Sequence, residues 1–203
     1  MTDKPLNAPT PRRGRGRRPA AEVRAGVLRA AADLLLHEGI RAVTFDRVAT
    51  AAGSSKMTLY KWWPSAGALA AEAFFAHSED QLEFPDTGDI RADLTSQLCA
   101  FVRLLTHGNT GAAIAGLIGV AQTDPELSAA FSQHYSAPRR ALALAAFEKA
   151  RTRGQLRDDI DLGILVDQLW GACYNRLLIP DAPLDEDYAI ALVNNALDGA
   201  SAQ

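Results

Sequence analysis

Apolar residues recur every three or four positions along most of the chain, which is the spacing of one face of an α-helix. The first such stretch begins near Pro19, carries apolar residues from Val23 to Leu34, and meets a suitable end at Gly39. No segment alternates apolar and polar residues as a half-buried β-strand does. The pattern therefore predicts an all-α protein of about nine helices.

Two short helices are predicted close together between residues 44 and 64. Thr44 is a natural N-cap for a helix of about two turns, and Gly53 is suited to end it. Ser54 or Ser55 can then begin another helix, which Pro64 ends. Two short helices joined by a tight turn containing glycine form a helix-turn-helix, the motif whose second helix enters the major groove of DNA.

Helical periodicity continues through the rest of the chain, interrupted by turn-like sequences such as HGNTG and PDAPLD. The predicted helices cover residues 65–77, 90–106, 111–122, 125–153 with a break or kink at Pro138, 162–178 and 185–197. The last two carry apolar residues at helical spacing, and the face of 162–178 is wider than a surface helix needs. We therefore expect them to supply half of an intersubunit four-helix bundle in a homodimer, with packing inside the chain as the alternative.

Charge is distributed unevenly. The net charge of −3 combines +7 over residues 1–64, from 12 Lys and Arg against 5 Asp and Glu, with −10 over residues 65–203. Residues 1–18 contain prolines, glycines and almost nothing apolar, and their arginines are Arg12, Arg13, Arg15, Arg17 and Arg18. These features predict a flexible basic arm that contacts a polyanion, and such arginines can enter the minor groove of DNA.

The composition argues against several classes of protein. At 203 residues, 48% hydrophobic and 22% charged, the chain is typical of globular proteins. Two cysteines and four histidines form no metal-binding or catalytic motif, so we expect no metal, no cofactor and no enzymatic activity. Since no secretory signal or bilayer-length apolar stretch is evident, we expect a cytoplasmic protein that does not enter a membrane.

The second helix of the helix-turn-helix has one side suited to DNA. At about 100° per residue, Leu59 and Trp63 share a side that we expect to be buried, whereas Met57 and Lys61 face away from it. Lysines, hydroxyls and an apolar side chain are the groups that meet phosphates, base edges and thymine methyls. The predicted DNA contacts of this motif are Thr44, Ser55, Lys56, Met57, Thr58, Tyr60, Lys61 and Trp62.

These residues also resemble a known family. The segments TFDRVA (44–49), AGSS (52–55) and TLY (58–60), followed by Trp63 and Pro64-Ser65, are similar to the N-terminal DNA-binding domain of tetracycline-repressor (TetR) family regulators. The resemblance implies a homodimer that binds a palindromic operator in double-stranded DNA and is released by a small-molecule effector. It also implies phosphate contacts at Thr44, Tyr60, Lys61 and Trp62, and base contacts at Lys56, Met57 and Thr58.

Two positions depart from the family pattern. Ala66 stands where the family often has a phosphate-binding lysine, and Met57 stands where it often has glycine, alanine or proline. We expect the arm to supply some of the missing backbone affinity and Met57 to alter base preference. The predicted domains are an arm at 1–18, a DNA-binding domain at 19–65, and a helical effector-binding and dimerisation domain at 66–203.

The effector site is predicted from aromatic residues in the C-terminal part. Phe101, Trp170 and Tyr174 could line an apolar cavity for a small hydrophobic effector, with His107 or Asn175 as polar groups, although ordinary core packing explains each as well. The alternative function is an architectural DNA-binding protein that uses the arm and the helix-turn-helix without any effector.

Overall fold

The computed structural model describes residues 19–78 and 84–200, and these residues are helical without any β-strand. The helices are α1 (Ala20–Glu38), α2 (Phe45–Ala52), α3 (Lys56–Trp62), α4 (Ala66–Ser78), α5 (Ile90–Thr106), α6 (Thr110–Ala121), α7 (Pro125–Phe131), α8 (Ala137–Thr152), α9 (Leu162–Leu178) and α10 (Glu186–Ala200). A 3₁₀ turn, Ile40–Ala42, precedes α2, and a π-helical turn, Ser132–Ser136, joins α7 directly to α8. With α7 and α8 counted as one continuous helix, the described residues form nine helices, which confirms the predicted all-α fold.

Local sequence explains where α2 and α3 begin and end. The Thr44 hydroxyl accepts a hydrogen bond from the Arg47 N–H at the start of α2. Gly53 ends α2 with a left-handed φ of 60°, a conformation that glycine adopts at little cost. The Ser55 hydroxyl then accepts a hydrogen bond from the Thr58 N–H at the start of α3. Helices α1 to α3 form the part of the molecule that we call the head.

Helix α4 connects the head to the C-terminal body, which we define as α5 to α10. Leu69, Phe74 and a series of alanines are buried around most of its circumference, as in a helix enclosed by others. One side of α4 packs on α1, while another packs on α7 and the π turn. The same helix therefore contacts both the head and the body.

Within the body, α5 lies against α6, α8, α9 and α10. Its residues Leu94 and Leu98 are fully buried. The carboxylates of Asp89, Asp124 and Asp161 accept backbone hydrogen bonds at the first turns of α5, α7 and α9. Acidic caps at helix N-termini are favourable because the peptide dipoles leave partial positive charge there.

The helix predicted over 125–153 is present but is not broken at Pro138. Pro138 lies in the first turn of α8, directly after the π turn. In a regular helix its missing N–H would have bonded the carbonyl of His134, which lies inside that turn, so the lost donor and the wide turn coincide. The π turn directs Tyr135 inward, where its side chain is buried.

The apolar faces predicted on α9 and α10 are used mainly inside the chain. Leu165, Leu169 and Cys173 of α9 are buried in the core, as are Ala189 and Val193 of α10. Packing within the chain, the alternative reading, accounts for these residues. A different side of the two helices is exposed, and its large apolar residues are Ile164, Leu178 and Ile190.

No single helix in residues 19–78 and 84–200 is long and apolar enough to cross a membrane. Helices α5 and α6 meet that requirement of length and composition only as a pair, and they are bent by 86° relative to each other.

Candidate DNA-binding site and ligand cavity

Two buried side chains hold α3 in the head. Leu59 and Trp63 are both buried, as their spacing predicts. The Trp63 indole N–H donates a 2.7 Å hydrogen bond to the carboxylate of Glu72 on α4. The same carboxylate pairs with Arg24 of α1 at 2.5 Å, and the Arg24 guanidinium lies over the Trp63 ring, 5.1 Å from its centroid. The end of α3 is therefore fixed to two neighbouring helices.

The opposite side of α3 is exposed to solvent. Met57 retains 78% and Tyr60 retains 60% of their accessible surface, so neither is a core residue. Lys56 and Lys61 are exposed on the same short helix. This surface combines two cations, a phenol and a thioether, which is the set of groups expected to contact DNA phosphates and base edges.

Several of the predicted DNA-contacting groups already have partners within the head. Lys56 forms an ion pair with Asp46 of α2. The hydroxyls of Ser55 and Thr58 lie 2.9 Å apart, and Thr44 caps α2. An exposed ion pair is worth only about 0–1 kcal/mol, so Lys56 can exchange Asp46 for a DNA acceptor at little cost. The hydroxyls of Thr44, Ser55 and Thr58 therefore already have a structural role in the head, and any contact with DNA would be additional.

The remaining predicted contacts lie at the edge of the head's core. The Tyr60 ring meets the Phe45 ring edge-on, with centroids 4.6 Å apart, and half-buried Trp62 meets Trp63 in the same way at 5.6 Å. Lys61 has no ion-pair or hydrogen-bond partner in the part of the chain that the structure describes. Its ammonium group is therefore available to a phosphate.

An open groove on α3 extends to the start of α1. Ala20 lines this groove together with Met57, Tyr60 and Lys61. The arginines of the predicted arm, Arg12, Arg13, Arg15, Arg17 and Arg18, precede this point and lie outside the described residues. The chain thus enters α1 beside the exposed side of α3.

A cavity of about 350 Å³ lies in the body, between α9 on one side and the π turn with the start of α8 on the other. This volume falls in the range of small-molecule binding sites, roughly 300–1,000 Å³. Its aromatic lining comes from Tyr135 of the π turn and from Trp170 and Tyr174 of α9. We call it the outer cavity.

A smaller chamber of about 30 Å³ adjoins the outer cavity, and we call it the inner chamber. Its lining includes Phe84, Gln97, Phe101 and Leu142, and it shares Tyr135, Arg139, Trp170 and Tyr174 with the outer cavity. Phe101 meets Tyr174 edge-on, with ring centroids 5.4 Å apart. The shared side chains therefore border both spaces.

Two tyrosine hydroxyls meet where the two spaces adjoin. The Tyr174 hydroxyl donates a 3.2 Å hydrogen bond to the Tyr135 hydroxyl. Burial raises the pKa of Tyr135. Burial, and then the proximity of Tyr135, raises the pKa of Tyr174 well above its ordinary value. Both hydroxyls therefore remain protonated at neutral pH.

Two arginines border the outer cavity, and each is bound to another part of the chain. The Arg139 guanidinium donates to the Ser78 carbonyl oxygen at 2.8 Å, at the C-terminal end of α4, and lies over the Phe75 ring. Arg140 pairs with Asp167 of α9, and its hydrogen bond holds the pKa of Asp167 below its ordinary value. Both cations thus already have acceptors.

The structure brings together three of the five residues predicted to bind a ligand. Phe101, Trp170 and Tyr174 line the inner chamber, and the last two also line the outer cavity. His107 is exposed at the C-terminal end of α5, and Asn175 is exposed on α9. Neither lines these cavities, whose lining instead includes the polar side chains of Tyr135, Gln97 and Arg139.

Sequence reasoning missed these three residues because they lie on separate helices and form no motif. The only available signal was the interruption expected at Pro138, close to Tyr135 and Arg139. No group of three or more His, Cys, Asp or Glu side chains in the described residues could hold a metal ion. Both cysteines are buried, and burial raises the pKa of Cys173 to about 12.

Known protein families provide an independent comparison. Residues 84–196 match the family described as "Tetracyclin repressor-like, C-terminal domain", and residues 27–73 match "Bacterial regulatory proteins, tetR family". The chain belongs to the TetR family. It is accordingly a helix-turn-helix transcriptional regulator, as the motif around α2 and α3 predicts. TetR-family regulators bind DNA and typically dimerise.

Individual TetR-family proteins match over most of their length. YdeS of Bacillus subtilis (strain 168), an uncharacterized HTH-type transcriptional regulator, is 36% identical over 176 residues, 87% of this chain and 88% of YdeS. The DNA-binding transcriptional repressor TetR of Mycobacteroides abscessus is 28% identical over 174 residues, 85% of this chain and 90% of that protein. The crystal structure of the TetR family transcription regulator SCO0332 is 56% identical, has a TM-score of 0.82, and matches 89% of this chain and 100% of its own.

Proposed function

We propose that this TetR-family regulator is a repressor that binds a palindromic operator as a homodimer and leaves it when a small molecule occupies the outer cavity. The observation that carries the proposal is the exposed side of α3, where Met57 and Lys61 stand over the buried anchors Leu59 and Trp63. A side chain as apolar as Met57 gains nothing from exposure in water, whereas it can contact a thymine methyl in a major groove. Chromosomal DNA as the partner would place the protein in the cytoplasm.

In this proposal the two ends of α3 have different roles. Lys56, Met57 and Thr58 near its N-terminus contact base edges, as recognition helices commonly do. Tyr60, Lys61 and Trp62 contact phosphates, together with Thr44 and Ser55 at the starts of α2 and α3. The partial positive charge at these helix starts supports phosphate binding there.

The arm at 1–18 is proposed to follow the groove beside α3 onto the DNA. Ala20, the first residue of α1, lines that groove, so α1 begins next to the proposed DNA surface. Ala66 cannot make the phosphate contact that a lysine at this position would make. In this proposal the arginines of the arm supply that positive charge instead. The proposed domain division is therefore the arm, the DNA-binding domain at 19–65, and the effector-binding and dimerisation domain at 66–203.

The dimer is proposed to form through the exposed side of α9, with α10 beside it. Ile164, Gln168, Gly171, Asn175 and Leu178 follow one another at intervals of four and three residues on α9 and form one stripe, in which all five are exposed. Such spacing is typical of a helix that packs against a partner helix. Asn175, predicted as a ligand-binding residue, belongs to this stripe.

Dimerisation can be tested with two leucines of similar exposure. Leu178 is 45% exposed within the stripe, and Leu142 is 49% exposed on α8 outside it. Leu178→Glu should yield a monomer in light scattering at micromolar concentration, whereas Leu142→Glu should remain a dimer. If both variants remained dimers, the dimer interface would have to lie elsewhere on the protein.

The cavity favours a ligand-responsive regulator over an architectural DNA-binding protein or an enzyme. An aromatic cavity of about 350 Å³ in the body has no use in a protein that only bends DNA. Arg139 links the cavity wall to the last residue of α4, and α4 contacts the head. A ligand that moves Arg139 would therefore disturb the helix on which the head is mounted.

The decisive experiment is footprinting of the purified full chain on the DNA that flanks its own gene, with and without a panel of small hydrophobic compounds. We expect a short two-fold symmetric site that is lost when one of the compounds is added. Lys61→Ala should weaken binding and make the slope of log affinity against log salt shallower by about 1.8, because the dimer loses two phosphate contacts at about 0.9 each. Protection of extended DNA without a symmetric site would instead indicate architectural binding.

A further inference from the structure

The polar groups around the inner chamber are not all satisfied by the chain itself. Tyr135 and Tyr174 carry two hydroxyl protons at neutral pH, and their mutual hydrogen bond uses only the proton of Tyr174. The Tyr135 proton has no acceptor among the described residues. A buried donor without an acceptor is costly, so this hydroxyl favours a ligand that can accept a hydrogen bond.

Gln97 supplies a second unsatisfied group in the same chamber. Its side chain lines the inner chamber and is only 5% exposed. Its Oε1 atom is buried and has no hydrogen-bond partner in the described residues. A glutamine amide can present either its oxygen or its amino group, so it best suits a ligand group that both donates and accepts. A hydroxyl does so with a single atom, and it is small enough for a space of about 30 Å³.

The neighbouring charges make an anionic group less suitable. Arg139 is bound to Ser78, and Arg140 is bound to Asp167. A carboxylate entering the inner chamber would lose its hydration in a space of about 30 Å³, and burial of such a charge is expensive. The Asp167 carboxylate at the rim would also repel it.

The shape of the outer cavity indicates the rest of the ligand. Trp170, Tyr174 and Tyr135 present ring surfaces to it, while Ala143 and Val166 add aliphatic area. Aromatic rings pack favourably against such surfaces in stacked or edge-on arrangements. A volume of about 350 Å³ accommodates one or two fused rings.

We propose that the effector is a neutral aromatic compound of one or two rings that carries a hydroxyl, with its ring in the outer cavity and its hydroxyl in the inner chamber between Tyr135 and Gln97. This inference rests on the proposed function, because it names the chemical class of the effector at the cavity described above. In it, the ligand hydroxyl accepts the Tyr135 proton and pairs with the Gln97 amide.

The proposal can be tested with three probes of one shape on the full-length protein. The probes are 2-naphthol, naphthalene and 2-naphthoate, whose binding is measured by quenching of tryptophan fluorescence at neutral pH. We expect 2-naphthol to bind about tenfold more tightly than naphthalene, the factor expected for a neutral hydrogen-bonding group with buried partners. We expect 2-naphthoate to bind more weakly than 2-naphthol.

Two variants locate the hydroxyl, and a third serves as the control. Gln97→Leu and Tyr135→Phe should each reduce the affinity for 2-naphthol several-fold while leaving naphthalene binding unchanged. Tyr188→Phe, a half-buried tyrosine on α10 that lines neither space, should leave both affinities unchanged. Gln97→Leu is expected to fold, because it replaces a buried, partly unsatisfied amide with an apolar side chain of similar size.

Each alternative outcome overturns the proposal. Equal binding of 2-naphthol and naphthalene would show that the hydroxyl is not recognised, and tightest binding of 2-naphthoate would assign the cavity to anions. Binding that is insensitive to Gln97→Leu and Tyr135→Phe would place the probe elsewhere, and no binding by any probe would reject the class. Operator footprinting without probes tests the proposed function separately, so a failure of the ligand class leaves that result intact.

Discussion

Met57 and Tyr60 stand exposed on a seven-residue helix in the head, whereas Gln97 and Tyr135 are almost completely buried around the cavity of the body. In the head, the side chains that hold α3 in place are different from those that face outward. In the cavity, the same aromatic side chains that could contact a ligand also pack the core. Recognition and stability should therefore separate by mutation in the head and remain coupled in the cavity.

The largest effect that tests this comparison is expected from Leu59→Ala. Leu59 has no exposed surface and anchors α3. Truncating a buried leucine costs about 2–5 kcal/mol, which is enough to unfold a small helical head. We expect a lower melting temperature by circular dichroism and complete loss of operator binding. Met57→Ala, at a residue of the same helix that is 78% exposed, should change stability by less than about 0.5 kcal/mol. Similar losses in both variants would contradict the assigned anchor.

A smaller effect is expected from Glu72→Ala. The variant removes the acceptor of the Trp63 indole N–H and the partner of Arg24. Leaving such groups unpaired costs about 1–3 kcal/mol, and the end of α3 should become less fixed. We expect weaker operator binding with no change in ligand affinity at the cavity. Glu72→Gln, which keeps an acceptor for Trp63, should recover part of the loss.

Met57→Ala should change recognition without changing stability. Its side chain is 78% exposed, so the free energy of unfolding should shift by no more than about 0.5 kcal/mol. We expect an altered base preference at one or two operator positions in a binding selection against randomised sites. Lys61→Ala provides the contrast, because a lost phosphate contact weakens all sequences about equally. A fall in melting temperature for Met57→Ala would show that the side chain is packed.

The smallest effect is expected at the surface of the body, from Asp86→Asn. Hydrogen bonds from Arg153 and then Lys149 lower the pKa of Asp86 from its ordinary 3.8 to about 2. Because the folded-state pKa is lowered, Asp86 stabilises the protein above pH 4, and this contribution is lost as the pH falls towards 2. The difference in melting temperature between wild type and variant should therefore shrink over that range. A constant difference would mean that the ion pair contributes nothing.

The head could be predicted from sequence because its determinants are local. Thr44, Gly53 and Ser55 set helix ends within three or four residues of themselves, and Leu59 and Trp63 share a side because of helical spacing alone. Glu72 escaped prediction, since its hydrogen bond to Trp63 spans two helices. The ion pair between Lys56 of α3 and Asp46 of α2 also joins two helices, and it escaped prediction for the same reason.

The cavity could be predicted only in part because it depends on how distant helices pack. Phe101, Trp170 and Tyr174 were found from aromatic character, yet periodicity does not distinguish a buried face from one that meets a cavity. His107 and Asn175 are polar and close in sequence to those aromatics, but helix geometry turns them to solvent. Gln97 of α5 and Tyr135 of the π turn both line the inner chamber, but only the folded chain brings these distant residues to the same space.

The π turn at Ser132–Ser136 also has a consequence for insertions and deletions. A π-helical turn holds about one residue more than an α-helical turn, and each residue rotates a helix by about 100°. Deleting one residue from it would therefore restore a regular helix and leave α8 in about the same rotational phase relative to α7. If the five residues kept their number but formed a regular α-helix, α8 would rotate by about 100°. Arg139 and Arg140 would then point away from Ser78 and Asp167, although no side chain of α8 had been changed. The π conformation of this five-residue segment thus sets the rotational phase between the helix that touches α4 and the helix that lines the cavity.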